Sequence, residues 1–194
     1  MDSRIQNLVS IINSRSAIEN LRNVQHQVIL ADIYEKGAHG NFNLPGVDLT
    51  WCNQATYDVL KANGFDIDVF LNGKSQYAVK AVDATINVMT NIANGLTSLL
   101  ELSPEAAQVF ANSGVAVVGV LEGSNHLATV YGGNHVKASS TDGPFMANVG
   151  EMNGIQSSKY AFGKDALENN KVHFYIDTKQ TGVFDDSNVA RKFY

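Results

Sequence analysis

A single cysteine, Cys52, stands in Thr50-Trp51-Cys52-Asn53-Gln54-Ala55-Thr56-Tyr57. One thiol cannot form an internal disulfide or a cysteine-rich zinc site, so its presence asks for another explanation. With Thr50 as a cap, Cys52 falls in the first turn of a helix, where unpaired backbone N–H groups and the positive end of the helix dipole favour a thiolate. A nucleophile needs that setting; the competing reading is a small buried hydrophobe. His126, in Gly123-Ser124-Asn125-His126-Leu127-Ala128-Thr129-Val130, opens a strand directly after a tight turn. An imidazole facing a helix N-terminus can take a thiol proton and form a thiolate–imidazolium pair; taken alone, the residue reads as a turn or edge histidine. Asn148, in Met146-Ala147-Asn148-Val149-Gly150, is a polar residue in an apolar strand and needs a partner. Its amide oxygen could hold the far ring nitrogen of an imidazole and fix the tautomer, as the third member of a triad does. A bond to nearby backbone, or a place on the solvated face, would satisfy it too.

The remaining histidines carry weaker signals. His26 lies on an expected helix face, His39 and His135 in loops, and His173 in a strand. None has a second ligand at metal spacing and no His-Glu-x-x-His pattern exists, so neither a metal nor a cofactor is expected. The 14 Lys and Arg against 19 Asp and Glu give a formal charge of -5. No basic block interrupts the chain, which argues against binding driven by nucleic-acid phosphates.

The elements that must position these residues are legible in part. Hydrophobic residues make up 44% of 194 and prolines number only 3, which fits one globular domain spanning 1–194 and excludes wholesale disorder. Apolar residues at helical intervals from Leu8 to Ile33 predict two helices within 1–36. Gly, Asn and Pro45 between Gly37 and Asp48 predict an irregular connection. The cysteine helix should run to Ala62 and stop at Asn63-Gly64, with Cys52, Ala55, Thr56 and Val59 on one face. A longer helix is expected from Ser75 to Ile92, packed through Val79, Val82, Ile86 and Met89 and ended by Gly95. Ser103-Pro104-Glu105 marks a helix start and Gly114 its close. After it, Val115–Leu121, Leu127–Tyr131, Phe145–Val149 and Val172–Ile176 read as strands divided by turns. Helices first and strands second predict an α+β fold with an antiparallel sheet. The segment from Thr181 to Tyr194 reads as an edge strand or tail.

The order Cys, His, polar residue, on helix, strand and next strand, resembles the papain-like bacterial cysteine amidases and peptidases of the NlpC and CHAP kind, which include phage endolysins and cell-wall-targeting effectors. Thr50-Trp51-Cys52-Asn53-Gln54, Asn125-His126-Leu127-Ala128-Thr129-Val130 and Ala147-Asn148-Val149-Gly150 carry the resemblance, which covers a core of about 47–176. It implies a half-barrel sheet packed on the cysteine helix, with N-terminal helices and a helical insertion at about 73–95 as additions. It also implies cleavage of amide bonds in peptidoglycan, with a stem peptide as substrate, Cys52 as nucleophile, His126 as base and Asn148 as orienting residue. The backbone N–H of Cys52 would help hold the oxyanion, with Asn41, Asn43 or Gln54 as a second donor and Trp51 on the cleft wall; a core aromatic is the alternative for Trp51.

Two other functions stay open at this point. The domain could be a non-catalytic module that binds a peptide, glycan or protein, with Cys52 inert, or a protease or deamidase effector acting on a protein. The N-terminus lacks the basic start and apolar stretch of a secretory signal, and the apolar runs are too short or too interrupted to span a bilayer. Synthesis in the cytoplasm is therefore expected, without membrane insertion. A wall enzyme of that kind would reach the wall or periplasm through a holin-like pore, a secretion machine or a virion.

Overall fold

The second half of the chain supplies short β-branched runs separated by glycine and asparagine turns, and these pair into one sheet. The computed structural model describes residues 52–124, 126–133, 136–148 and 154–180. The expected helices within 1–36, the connection before Asp48 and the segment from Thr181 lie outside them. The strands are β1 (Leu99–Leu102), β2 (Val118–Leu121), β3 (Leu127–Val130), β4 (Phe145–Asn148), β5 (Gly154–Ser157) and β6 (Val172–Asp177). They form a six-stranded sheet in the order β1-β6-β2-β3-β4-β5, and every neighbouring pair is antiparallel. The helices are α1 (Cys52–Ala62), α2 (Asp68–Leu71), α3 (Ala81–Ala93), α4 (Pro104–Asn112), α5 (Ser158–Phe162) and α6 (Lys164–Glu168). The fold is α+β, as the order of helical and strand patterns predicts.

Both faces of the sheet are covered. Val117, Ala128, Val130, Met146 and Phe174 point to one side, against Ala107, Phe110 and Ala111 of α4 and Phe162 of α5. Val118, Val120, Leu127 and Tyr175 point to the other, against Tyr57 and Leu60 of α1, Phe70 of α2 and Val88 of α3. Two-sided burial explains why Val115 to Val120 reads as a continuous apolar run and not as the in-out alternation of a half-exposed antiparallel strand. The cysteine helix does pack on the sheet.

Several expectations need correction. The helix expected from Ser75 begins at Ala81, after a 3-10 turn at Gln76–Ala78 and an extended Val79. Its buried face is Ala81, Ala84, Thr85 and Val88, whereas Val82 and Ile86 are 37% and 55% exposed. Counting the period from Val79 puts the stripe on the wrong face, because Val79 is not part of the helix. Small side chains face inward instead, which suits close helix packing. Strands β1 and β5 carry no alternation strong enough to announce them; among the described residues each is an edge strand held by one neighbour, β6 or β4. The start of α4 is as expected: Ser103 caps it, its Oγ accepting from Ala106 N at 3.3 Å with Pro104 next.

Candidate active site

Helix α1 presents its first residue, Cys52, at 2% exposure. The turn is pinned at two places. Asn53 Nδ2 donates to Val79 O at 2.8 Å, and Thr56 Oγ1 donates to Leu127 O at 3.2 Å. Cys52 and Thr56 are four apart and share a helix face, so the cysteine turn is fixed beside the start of β3. His126 immediately precedes that strand.

The hairpin link 122–126 joins β2 to β3. Gly123 takes φ +68°, a left-handed conformation that glycine adopts without steric cost, and Leu121 N donates to His126 O at 3.2 Å to close the turn. Thr129 lies opposite Ala147 and Val130 opposite Met146; the same register carried one residue further sets Ala128 opposite Asn148. His126 and Ala128 share a face, so His126 and Asn148 are diagonal neighbours. Their side chains meet, with Nε2 2.6 Å from Oδ1. An amide oxygen only accepts, so with Oδ1 toward the ring Nε2 carries the proton and the neutral ring keeps its lone pair on Nδ1. Phe162 packs edge-on against the imidazole at a centroid separation of 5.2 Å and 61°. Burial pulls the His126 pKa below its ordinary 6.5, with the Asn148 bond opposing. The ring is therefore uncharged at neutral pH and available as a base.

This geometry joins two of the three residues that sequence singled out. Asn148 is 4% exposed, and its partner is the histidine, not the solvent. The imidazole shares the sheet face of Met146 and Phe162, while α1 covers the opposite face. Any approach of the Cys52 sulfur to the ring therefore runs around the end of β3. Trp51, Asn41 and Asn43 lie outside the described residues, as do His26, His39 and His135; Gln54 is placed in α1 by its backbone only. His173 is occupied elsewhere, its Nδ1 2.7 Å from Glu101 Oε1 across β1 and β6. Phe162 escaped sequence reasoning entirely, since nothing local marks an aromatic in the short α5 as a neighbour of His126.

The fold and site define an α+β domain in which a half-buried histidine is held by a buried asparagine on one face of the sheet, with the cysteine helix packed on the other. The chain matches no protein-family model, and comparisons with curated proteins and with solved structures find no match either. Among the described residues no helix is long and apolar enough to cross a membrane, and no three His, Cys, Asp or Glu side chains gather where they could hold a metal ion.

Phe162→Leu is expected to let water reach His126 and raise its pKa toward the ordinary value, followed by NMR titration of the ring. The linkage has a definite sign. A folded-state pKa below the unfolded one makes protonation favour unfolding, so His126 contributes stability above about pH 6.5 that is lost as pH falls through the folded pKa. The variant should narrow that window, and an unmoved titration would contradict the shielding role.

Proposed function

We propose that this protein is a cysteine amidase or endopeptidase of the papain-like NlpC/CHAP type that hydrolyses amide bonds in bacterial peptidoglycan. The observation that carries the reading is the 2.6 Å bond from His126 Nε2 to Asn148 Oδ1, which leaves Nδ1 to act as a base; the cysteine helix packs on the other face of the same sheet, so the reading requires the Cys52 sulfur to meet Nδ1 around the end of β3. In the proposed reaction Nδ1 takes the Cys52 thiol proton as the sulfur attacks a stem-peptide carbonyl. The oxyanion is met by the Cys52 backbone N–H and a second donor drawn from Asn41, Asn43 or Gln54, with Trp51 on the cleft wall. The imidazolium returns its proton to the leaving amine, and water, deprotonated by the same ring, releases the acyl group from sulfur. Asn148 keeps the ring aligned throughout. The reaction needs no cofactor. Action in the wall follows delivery through a holin-like pore, a secretion machine or a virion.

The deciding experiment is the iodoacetamide alkylation rate of Cys52 across pH, in the native chain and in His126→Ala. Fast labelling that collapses without the histidine supports the pair and sends the protein to purified peptidoglycan. Slow labelling in both proteins, rising only on unfolding, overturns the reading. One observation favours a second function in that event: Cys52 is 2% exposed, as a packing thiol is, and the fold would then serve as a peptide-, glycan- or protein-binding module.

A further inference from the structure

The helical stretch between α1 and β1 has no role in the reaction as derived, yet one of its side chains reaches the turn that presents the base. We infer that Thr85 of α3 is a positioning residue whose hydroxyl fixes the turn carrying His126. This rests on the reading of His126 as the base.

Thr85 is 1% exposed, and its Oγ1 lies 2.8 Å from two carbonyl oxygens, Val82 O and Ser124 O. A hydroxyl has one proton, so the two acceptors share it. The bond to Val82 is the local one that a helical threonine makes to its own preceding turn. The bond to Ser124 is not local: it crosses to the hairpin link two residues before His126. On the other side of the histidine, Leu127 O accepts from Thr56 of α1. Two threonines from two helices thus grip the backbone on either side of His126.

The helix making the second grip is itself fixed. Asn87 Nδ2 donates to Phe70 O at 2.7 Å and Asn91 Nδ2 to Val69 O at 2.9 Å, which ties α3 to α2. Asn53 Nδ2 ties α1 to Val79 O, on the run into α3. The cysteine turn, α3, the His126 turn and β3 therefore form a closed circuit of hydrogen bonds. A valine at position 85 would fill the same space and break that circuit at one point.

The test uses the full chain with Thr85→Val, Thr85→Ser and Thr85→Ala. Two readouts are independent of catalysis: hydrogen exchange of the Leu121 amide, which closes the His126 turn, and NMR titration of the His126 ring. Thr85→Val is expected to speed that exchange by about tenfold and to move the titration toward the ordinary histidine value, while Thr85→Ser stays near native in both. Peptidoglycan hydrolysis should lose about tenfold in kcat with KM little changed, since a displaced base impairs chemistry more than binding. If Thr85→Val does not fold, the contrast between Thr85→Ser and Thr85→Ala carries the same test. Native-like exchange and titration in the valine or alanine variant overturn the inference, as does a serine variant that behaves like them. Loss of catalysis in Cys52→Ala with His126 unmoved in Thr85→Val would leave the proposed function standing and remove only the role of Thr85.

Discussion

Under the proposed reaction, Cys52→Ala is expected to reduce peptidoglycan hydrolysis by about 10⁴-fold or more, with the far-UV spectrum and melting temperature close to native. The sulfur is the only atom in the scheme that bonds covalently to substrate, so no neighbour replaces it. His126→Ala should lose a similar factor, because without Nδ1 the thiol stays protonated and the leaving amine gets no proton. The double variant should be little worse than either single one, since the two residues act as a unit. Asn148→Ala is expected to fall in between, at about 10²-fold: the base remains but its tautomer and orientation are no longer fixed. The measurement is release of new amino groups from purified peptidoglycan. Turnover within tenfold of native in Cys52→Ala would remove the thiol from the mechanism, whatever the other variants did.

The second large effect concerns stability and sits at Gly132, just past the end of β3. A Cβ there would lie 2.0 Å from the backbone oxygen of Ala111 and 2.5 Å from its carbonyl carbon. Backbone of the α4 C-terminal turn cannot swing aside as a side-chain tip can, so Gly132→Ala must push the β3–β4 connection off the helix. That connection is secured by Gln108, whose Nε2 donates to Tyr131 O at 2.8 Å and whose Oε1 accepts from Phe145 N at 2.8 Å. Overpacking plus strained buried hydrogen bonds should cost about 3 kcal/mol, a fall in melting temperature of about 10 °C for a domain of this size. Gly133→Ala is the contrast. The nearest contact of its Cβ would be Val136 Cγ2 at 3.2 Å, a side-chain methyl that can give way, with the Tyr131 ring at an ordinary 3.6 Å, and the cost should stay under about 1 kcal/mol. Equal losses in the two variants would show that the close approach to Ala111 is not what matters.

The parts of this protein legible in the sequence are those decided within a few residues. The Ser103-Pro104 cap fixes where α4 begins, Asn63-Gly64 ends α1, and apolar runs bounded by turn residues mark β2, β3, β4 and β6. Cys52 at a helix start and His126 at a strand start follow from the same local rules, and so does the expectation that Asn148 needs a polar partner. Tertiary structure decided the rest, because it depends on which distant segments pair. The return of β6 between β1 and β2 gives the weak tetrapeptide of β1 its one partner, and β4 does the same for β5. The register of β4 on β3, not any spacing along the chain, sets Asn148 diagonal to His126 and brings 2.6 Å between them. The inward face of α3 is chosen by its neighbours, which admit Ala84, Thr85 and Val88 and leave Ile86 outside. The placing of Phe162 against the imidazole belongs to that second group too: a contact between residues 36 apart in sequence exists only once the sheet has closed the distance, and no local period encodes it.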